Sequence, residues 1–288
     1  MKYIRTTYKE YIKSKYIIAL IPLENDFLFK KWGIKSILMN NYITYEYNSI
    51  KPSELTSNII IMLGRADDIY KRFDLGILSM EYILKEVPQC HMKIISNVIN
   101  TEFLQNLVKN LNLENNIRFV GFSSKPEKHL TDASLHVFPS LTEAFPMALA
   151  ETKIFGIPNI LLGLDYISLC NGGTIIIYNE SPESLAKASI LILTNEKYRK
   201  KFGKEARKSM KKYNNKLLLT RWLKLILSIF NGEDYYQKLR NKDKKITKAY
   251  AINILKNQIS LIKKRKQNFK NITISDFMNF NILQNYTK

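Results

Sequence analysis

The chain has 288 residues, 45% of them apolar, and a formal net charge of +20. That apolar share supplies a core and excludes a globally disordered protein. The low counts of glycine (10) and proline (8) exclude a collagen-like or linker-dominated architecture.

The basic balance admits nucleic acid, an anionic lipid surface or an acidic ligand as partner and does not choose among them. A composition rich in Lys, Asn and Ile produces the same charge without any partner. Cys90 and Cys170 lie far apart, and His91, His129 and His136 are scattered, so no spacing suits zinc. The expectation is a protein with no metal and no cofactor in a reducing compartment. No run reaches the roughly 18 apolar residues that span a bilayer. Charges interrupt every apolar run near the start, so no signal-peptide pattern is present. A cytoplasmic protein is expected, with peripheral contact to a membrane surface left open.

Taken in chain order, KYIIALIPL (15–23) reads as a strand, ENDFLFKKWGI (24–34) as a short helix and SILMNNYIT (36–44) as a second strand. The polar stretch 47–57 reads as a linker. From 58 the pattern is regular. NIIIML (58–63) is an apolar run without alternation, as in a parallel sheet buried on both faces. Residues 74–86 carry Leu75, Leu78, Tyr82 and Ile83 at helical spacing, and Pro88 closes that helix. A strand at 91–96, a helix at 101–113 with Thr101 as N-cap, a strand at 117–122 and a short helix at 125–133 follow. Then come a strand at 135–140, a helix at about 146–155, strands at 158–163 and 174–178, and helices at 181–194, 196–212 and 215–230. Strands alternating with helices predict an α/β, Rossmann-like, doubly wound parallel sheet. Its ligands are expected beyond the carboxyl ends of the strands. The expected organisation is a first piece at 1–50, a ligand-binding domain at 58–230 and a basic helical appendage at 241–288. The appendage carries an apolar stripe, Ile246, Ala249, Ile252, Leu255, Ile259 and Ile262, beside Lys256, Lys263, Lys264, Arg265 and Lys266. Such a helix suits either an anionic membrane surface or docking on the domain.

Two loops carry candidate chemistry. In GRADDIYKRFD (64–74), Gly64 permits a tight turn at a strand end. Arg65 offers a planar fork for phosphate oxygens, and Lys71 a second cation for the same anion. A polar loop of solvated charges satisfies the same pattern. In SLTEAFPMALAETKIFGIP (140–158), Phe145-Pro146 opens a helix whose start presents free N–H groups and the positive end of the dipole, a site for phosphate. Glu143 precedes that helix and Glu151 lies eight residues on, two turns along at about 80° from the starting direction. Carboxylates near a diphosphate suit hydrogen bonds from sugar hydroxyls. A solvated Glu151 and a dipole-complementing Glu143 fit the spacing equally.

The order strand-GR-x5-K-x-F-D, strand, helix, strand-VGF, helix, strand-FPS-x-x-EAFPMALAE and G-I-P resembles the C-terminal domain of retaining GT-B glycosyltransferases, the large family 4 group (glycosyl transferases group 1). The resemblance covers about residues 16–230. It implies transfer of a hexose-type sugar from a nucleotide-sugar donor, with retention of configuration and without a metal. It implies that Gly64, Arg65 and Lys71 bind the donor diphosphate and that Glu143 touches the transferred sugar. Ala144, Phe145, Pro146 and Met147 would hold phosphates and sugar, Glu151 the ribose, and the loop near Gly121, Phe122 and Ser123 the base. Glu143, Arg65 and Lys71 are the candidate catalytic residues. The acceptor stays open among saccharide, lipid and protein, and nucleic acid is disfavoured because no base-stacking pattern accompanies the charge.

Three features depart from the family pattern. Ile95-Ser96-Asn97 stands where a glycine-bearing turn is usual, Thr152 where alanine commonly follows the second Glu, and LDYISLCNGG (164–173) is unlike the common form. Family members also carry an N-terminal acceptor domain, of which 1–50 resembles only the final strand and helix. The chain then reads as a fragment, a truncated product or one part of a split enzyme. The alternative is a nucleotide-sugar-binding remnant without catalysis.

Overall fold

A computed structural model describes residues 10–96, 101–123, 125–164 and 167–236. The appendage at 241–288 lies outside the described residues, as do Asn97 and part of the 164–173 loop. The chain divides into two compact units.

The larger unit runs from Ile43 to Asp165 and from Leu169 to Tyr213. It is built on a six-stranded parallel sheet of order β5-β4-β3-β6-β7-β8. The strands are β3 (Ile59–Leu63), β4 (His91–Ile95), β5 (Ile117–Phe119), β6 (Leu135–Phe138), β7 (Asn159–Leu162) and β8 (Thr174–Ile177). Every residue of β6 and β7 is buried, as are the three central residues of β3. Central parallel strands covered on both faces need such continuous apolar runs, which is why the sequence shows no alternation there. The Rossmann-like α/β class read from the sequence is the observed one.

Helices connect β3 through β7 in turn, and two more follow β8. They are α2 (Phe73–Glu86), α3 (Glu102–Asn110), α4 (Glu127–Leu130), α5 (Met147–Ile154), α6 (Pro182–Thr194) and α7 (Glu196–Ser209). Helix α2 packs against α6 and α3, and α5 against α7. It approaches β3 through Gly76, where a Cβ would come within 2.3 Å of the Met62 sulfur. Thr101 precedes α3, but its side chain caps nothing; it is buried and its Oγ1 accepts from Gln105 Nε2 at 3.1 Å.

The smaller unit comprises residues 10–42, 167–168 and 214–236 of those described. Strands β1 (Ile18–Ala19) and β2 (Ile37–Leu38) pair in parallel around α1 (Pro22–Trp32). The sequence pattern placed the start of α1 at Glu24. It begins instead at Pro22, because proline at the first helical position gives up only an N–H that has no partner there anyway. Helix α8 (Asn215–Phe230) belongs to this unit, although its sequence position suggested the end of the ligand-binding domain. Leu225 and Tyr235 pack with Ile37 and Met39, and Arg221 Nη2 donates to the Leu38 carbonyl at 2.6 Å.

The stretch 47–57 is not a free linker. Arg207 Nη2 donates to the carbonyls of Tyr47 (2.8 Å) and Ile50 (2.7 Å), and its Nη1 to that of Ile154 (2.5 Å). Ser53 N donates to the Phe155 carbonyl and Ser53 Oγ to that of Ala133. The segment is polar because its side chains and backbone are occupied by this stitching.

Candidate active site

From β3 the chain goes to β4 and then to β5 on one side, and β6 lies against the opposite side of β3. The sheet therefore reverses its direction of growth between β3 and β6. In open parallel sheets the crevice at the carboxyl ends of such a pair is where ligands sit. The two loops singled out in the sequence leave β3 and β6.

The β3 loop starts at Gly64, whose φ of +149° suits glycine and whose N–H donates to the Ile95 carbonyl. The next N–H but one, Ala66 N, donates to Ser96 Oγ at 2.8 Å. Ser96, the departure from the family's glycine, thus supports the loop from the end of β4. Arg65 extends into solvent, its side chain 72% exposed, with Nη2 2.7 Å from Asp68 Oδ2. Asp68 Oδ1 also accepts from Tyr70 N, shaping the 3-10 turn Ile69–Lys71.

Lys71 ends that turn. Its Nζ lies 2.5 Å from Glu143 Oε1 and over the Phe138 ring at 6.0 Å. The same Glu143 oxygen accepts from Ser140 Oγ at 2.8 Å. Leu141 N and Ser140 Oγ both donate to the Tyr70 carbonyl. The loops after β3 and β6 are thereby joined through backbone and side chains, and Lys71 and Glu143 are half-buried at the join. Arg65 and Lys71 face different carboxylates in this state.

Pro146 is the N-cap of α5, with an extended backbone (ψ 113°) and no side-chain cap, and the helix proper starts at Met147. Glu143 consequently lies outside the helical frame. The estimate of 80° between Glu143 and Glu151 does not hold, because the extended residue breaks the helical repeat between them. Ala144 is half-buried and Phe145 is buried, edge-on to Tyr213 at 5.5 Å. Glu151 accepts a long hydrogen bond from Thr44 Oγ1 at 3.4 Å. Burial pushes its carboxyl up to about 7, with the Thr44 hydrogen bond opposing. An acid at this value waits half-protonated at neutral pH for donors that would favour its charge.

Thr152, the second departure, belongs to a buried polar network beneath Glu151. Its Oγ1 is 2.9 Å from Asn159 Oδ1 and 3.1 Å from His136 Nδ1, and His136 Nδ1 is 2.7 Å from Asn159 Oδ1. Burial lowers the His136 pKa to about 4, so the ring is neutral and donates from Nδ1. This network pins α5 to β6 and β7. The neighbouring Lys153 is fully buried and donates to the carbonyls of Asn171 (2.7 Å) and Gly172 (2.5 Å), tying α5 to the loop before β8.

After β5, Gly121 has φ +84°, Phe122 is 80% exposed and Ser123 Oγ accepts from Lys125 N. Nearby, Tyr45 OH donates to Glu127 Oε2 at 3.1 Å. Thr44 and Tyr45, in the stretch before β3, and the buried Arg72 are site-lining or site-supporting residues that the sequence reading did not single out. Thr44 and Tyr45 carry no motif. Arg72 was legible as the second half of a Lys-Arg pair.

The fold is the Rossmann-like α/β domain of GT-B glycosyltransferases. The chain belongs to the glycosyl transferases group 1 family, whose model matches residues 46–209. It is 23% identical over 194 residues to the poly(glycerol-phosphate) alpha-glucosyltransferase of Bacillus subtilis, covering 65% of this chain and 29% of that protein. It is 25% identical over 163 residues to the poly(ribitol-phosphate) alpha-N-acetylglucosaminyltransferase of Staphylococcus aureus, covering 55% and 33%. A glycosyltransferase of Haemophilus influenzae is matched over half its length at 22% identity. Among solved structures, S. aureus TarM in complex with UDP superposes with a TM-score of 0.69 at 21% identity, over 78% of this chain and 46% of that one. The pneumococcal O-GlcNAc transferase GtfA with UDP and GlcNAc gives 0.68 at 16% identity, over 80% and 48%. Both share the GT-B fold. The chain spans half or less of each of these proteins.

Proposed function

We propose that the chain binds a uridine diphosphate sugar and supplies the donor half of a retaining hexosyltransferase. The observation that carries this reading is the meeting of the β3 and β6 loops at the switch point, with Lys71 2.5 Å from Glu143. The choice of uridine and a hexose-type sugar is supported by the UDP and alpha-GlcNAc-glycerol bound to TarM and the UDP and GlcNAc bound to GtfA.

In the reaction, the bond between the anomeric carbon and the β-phosphate oxygen breaks and charge grows on the departing diphosphate. Lys71 and the N–H groups at the start of α5 (Met147 onward) stabilise that charge from fixed positions, and Arg65 swings in to join them. No divalent metal is required in this scheme. Glu143 accepts from a sugar hydroxyl while holding Lys71, Glu151 accepts from the ribose, and Phe122 and Ser123 flank the base. The acceptor oxygen bonds to the anomeric carbon from the face that the phosphate leaves, and its proton passes to the leaving phosphate. Family resemblance supports this retaining course, and no protein nucleophile is assigned. The acceptor is a hydroxyl of a saccharide, lipid or protein, and the enzyme works in the cytoplasm, with peripheral contact to a membrane surface through 241–288.

Calorimetric titration with UDP, UDP-glucose and UDP-GlcNAc tests the reading. A saturable 1:1 isotherm with at least one of them is expected. Absence of binding to all three at millimolar concentration would overturn it.

A further inference from the structure

Arg72 follows Lys71 directly and has a conformation that its residue type disfavours. Its φ of 52° and ψ of 44° are left-handed, a region where a Cβ is crowded and glycine is at ease. Its side chain is 3% exposed. A buried guanidinium is tolerated only when its donors are filled, and here they are. Nε lies 3.0 and 3.2 Å from the two carboxylate oxygens of Asp74, Nη2 lies 3.0 Å from Asp74 Oδ2, and Nη1 is paired with Glu180.

These contacts join three pieces of chain. Arg72 closes the 3-10 turn that carries Lys71 and is the N-cap residue of α2. Asp74 lies in the first turn of α2, and Glu180 lies between β8 and α6. Tyr82 OH, 2.5 Å from Glu183 Oε1, continues the same α2–α6 seam. Two adjacent cations therefore face different ways, Lys71 toward Glu143 and Arg72 toward Asp74 and Glu180. A glycine would satisfy the backbone alone, so the buried fork has a further use. Strained backbone held by surrounding structure commonly marks a functional clamp.

We propose that Arg72 is a positioning residue. Its ion triad with Asp74 and Glu180 anchors the turn Ile69–Arg72, so that Lys71 is presented beside Glu143 to the donor diphosphate. This rests on the donor-site reading above.

The test is a double-mutant cycle on the full chain, with UDP as probe and calorimetry as readout. Arg72→Gly keeps the left-handed backbone and removes the fork. It is expected to weaken UDP binding about tenfold, the scale of one charge-assisted hydrogen bond. In a Lys71→Met background the same change is expected to cost nothing further, because Arg72 acts through Lys71. Glu180→Gln should show the same dependence on Lys71. Should Arg72→Gly not fold, Arg72→Lys serves in its place, keeping the charge but unable to fill two sites at once. Wild-type affinity in the single variants, or an equal loss in both backgrounds, would overturn the proposal in favour of general support of the fold. Failure of the wild type to bind UDP is separately visible and overturns both readings.

Discussion

Lys71 Nζ and Glu143 Oε1 lie 2.5 Å apart across 72 residues of sequence. Each was assigned to a different part of the donor, Lys71 to phosphate and Glu143 to sugar, and they are direct partners. The pairing gives Glu143 two roles that substitution separates. Glu143→Gln releases Lys71 to the phosphates, so UDP affinity is expected to hold or rise. Transfer from a UDP-sugar should fall by about two orders of magnitude, the usual cost of losing a preorganised polar contact. Calorimetry beside a radiolabelled transfer assay checks this. If UDP binding weakened as much as in Lys71→Met, the carboxylate would be holding the loop and not the sugar.

Arg65 is exposed and paired with Asp68, poised to swing to an anion. Arg65→Ala is expected to weaken nucleoside diphosphate binding by about 1.5–3 kcal/mol. The loss should be the same for UDP, ADP and GDP, because phosphate is common to all. A loss confined to one base would move Arg65 to the nucleoside.

Glu151 should make binding depend on pH. Its folded pKa is raised to about 7, so it is largely neutral below that and ionised above. Ribose hydroxyls donate to the ionised form, and uridine affinity is therefore expected to rise with pH across 7. Between pH 6 and 8 the change should be about tenfold. In Glu151→Gln the profile should be flat and the affinity low throughout. An identical slope in the variant would assign the titration to another group. The shift has the opposite sign for stability. The raised value favours the folded apo protein below about 4.5, and that contribution is lost as pH climbs through 7.

Donor binding is expected to survive chelation. In this scheme the positive charge comes from Lys and Arg side chains and the partial charge of helix-end N–H groups, so UDP titrations with EDTA and with magnesium should agree within error. Binding seen only with magnesium would require a metal in the scheme.

Arg207 ties the stretch 47–57 to α5, donating to two carbonyls of the stretch and to that of Ile154, and lies over the Tyr47 ring at 4.7 Å. Arg207→Ala should destabilise the protein by about 2–3 kcal/mol, since the carbonyls lose charged donors. Urea unfolding followed by circular dichroism measures it. A change below about 0.5 kcal/mol, the scale of an ordinary surface substitution, would mean the stretch is held by its other contacts, the Ser53 hydrogen bonds among them.

The sequence by itself determined the sheet. Continuous apolar runs such as Ile59–Leu63 call for burial on both faces, and the helices between β3 and β7 favour parallel pairing. It also placed the candidate residues in the loops after β3 and β6, because the motifs fall at strand ends. Helix starts were legible where a cap is local, as at Ser181, whose side chain accepts from Ser184 N. What only the tertiary structure decided was pairing between distant segments. Spacing along the chain could not show that Lys71 meets Glu143, that Thr44 reaches Glu151, or that α8 packs with residues 10–42. An extended residue at Pro146 erased the helical relation between the two glutamates, and no periodicity announces such a break. Ser96, Thr152 and Arg72 looked like departures or bystanders in one dimension. Each acquires its role from a partner 15 or more residues away, because a buried polar group must be matched by whatever the fold brings beside it.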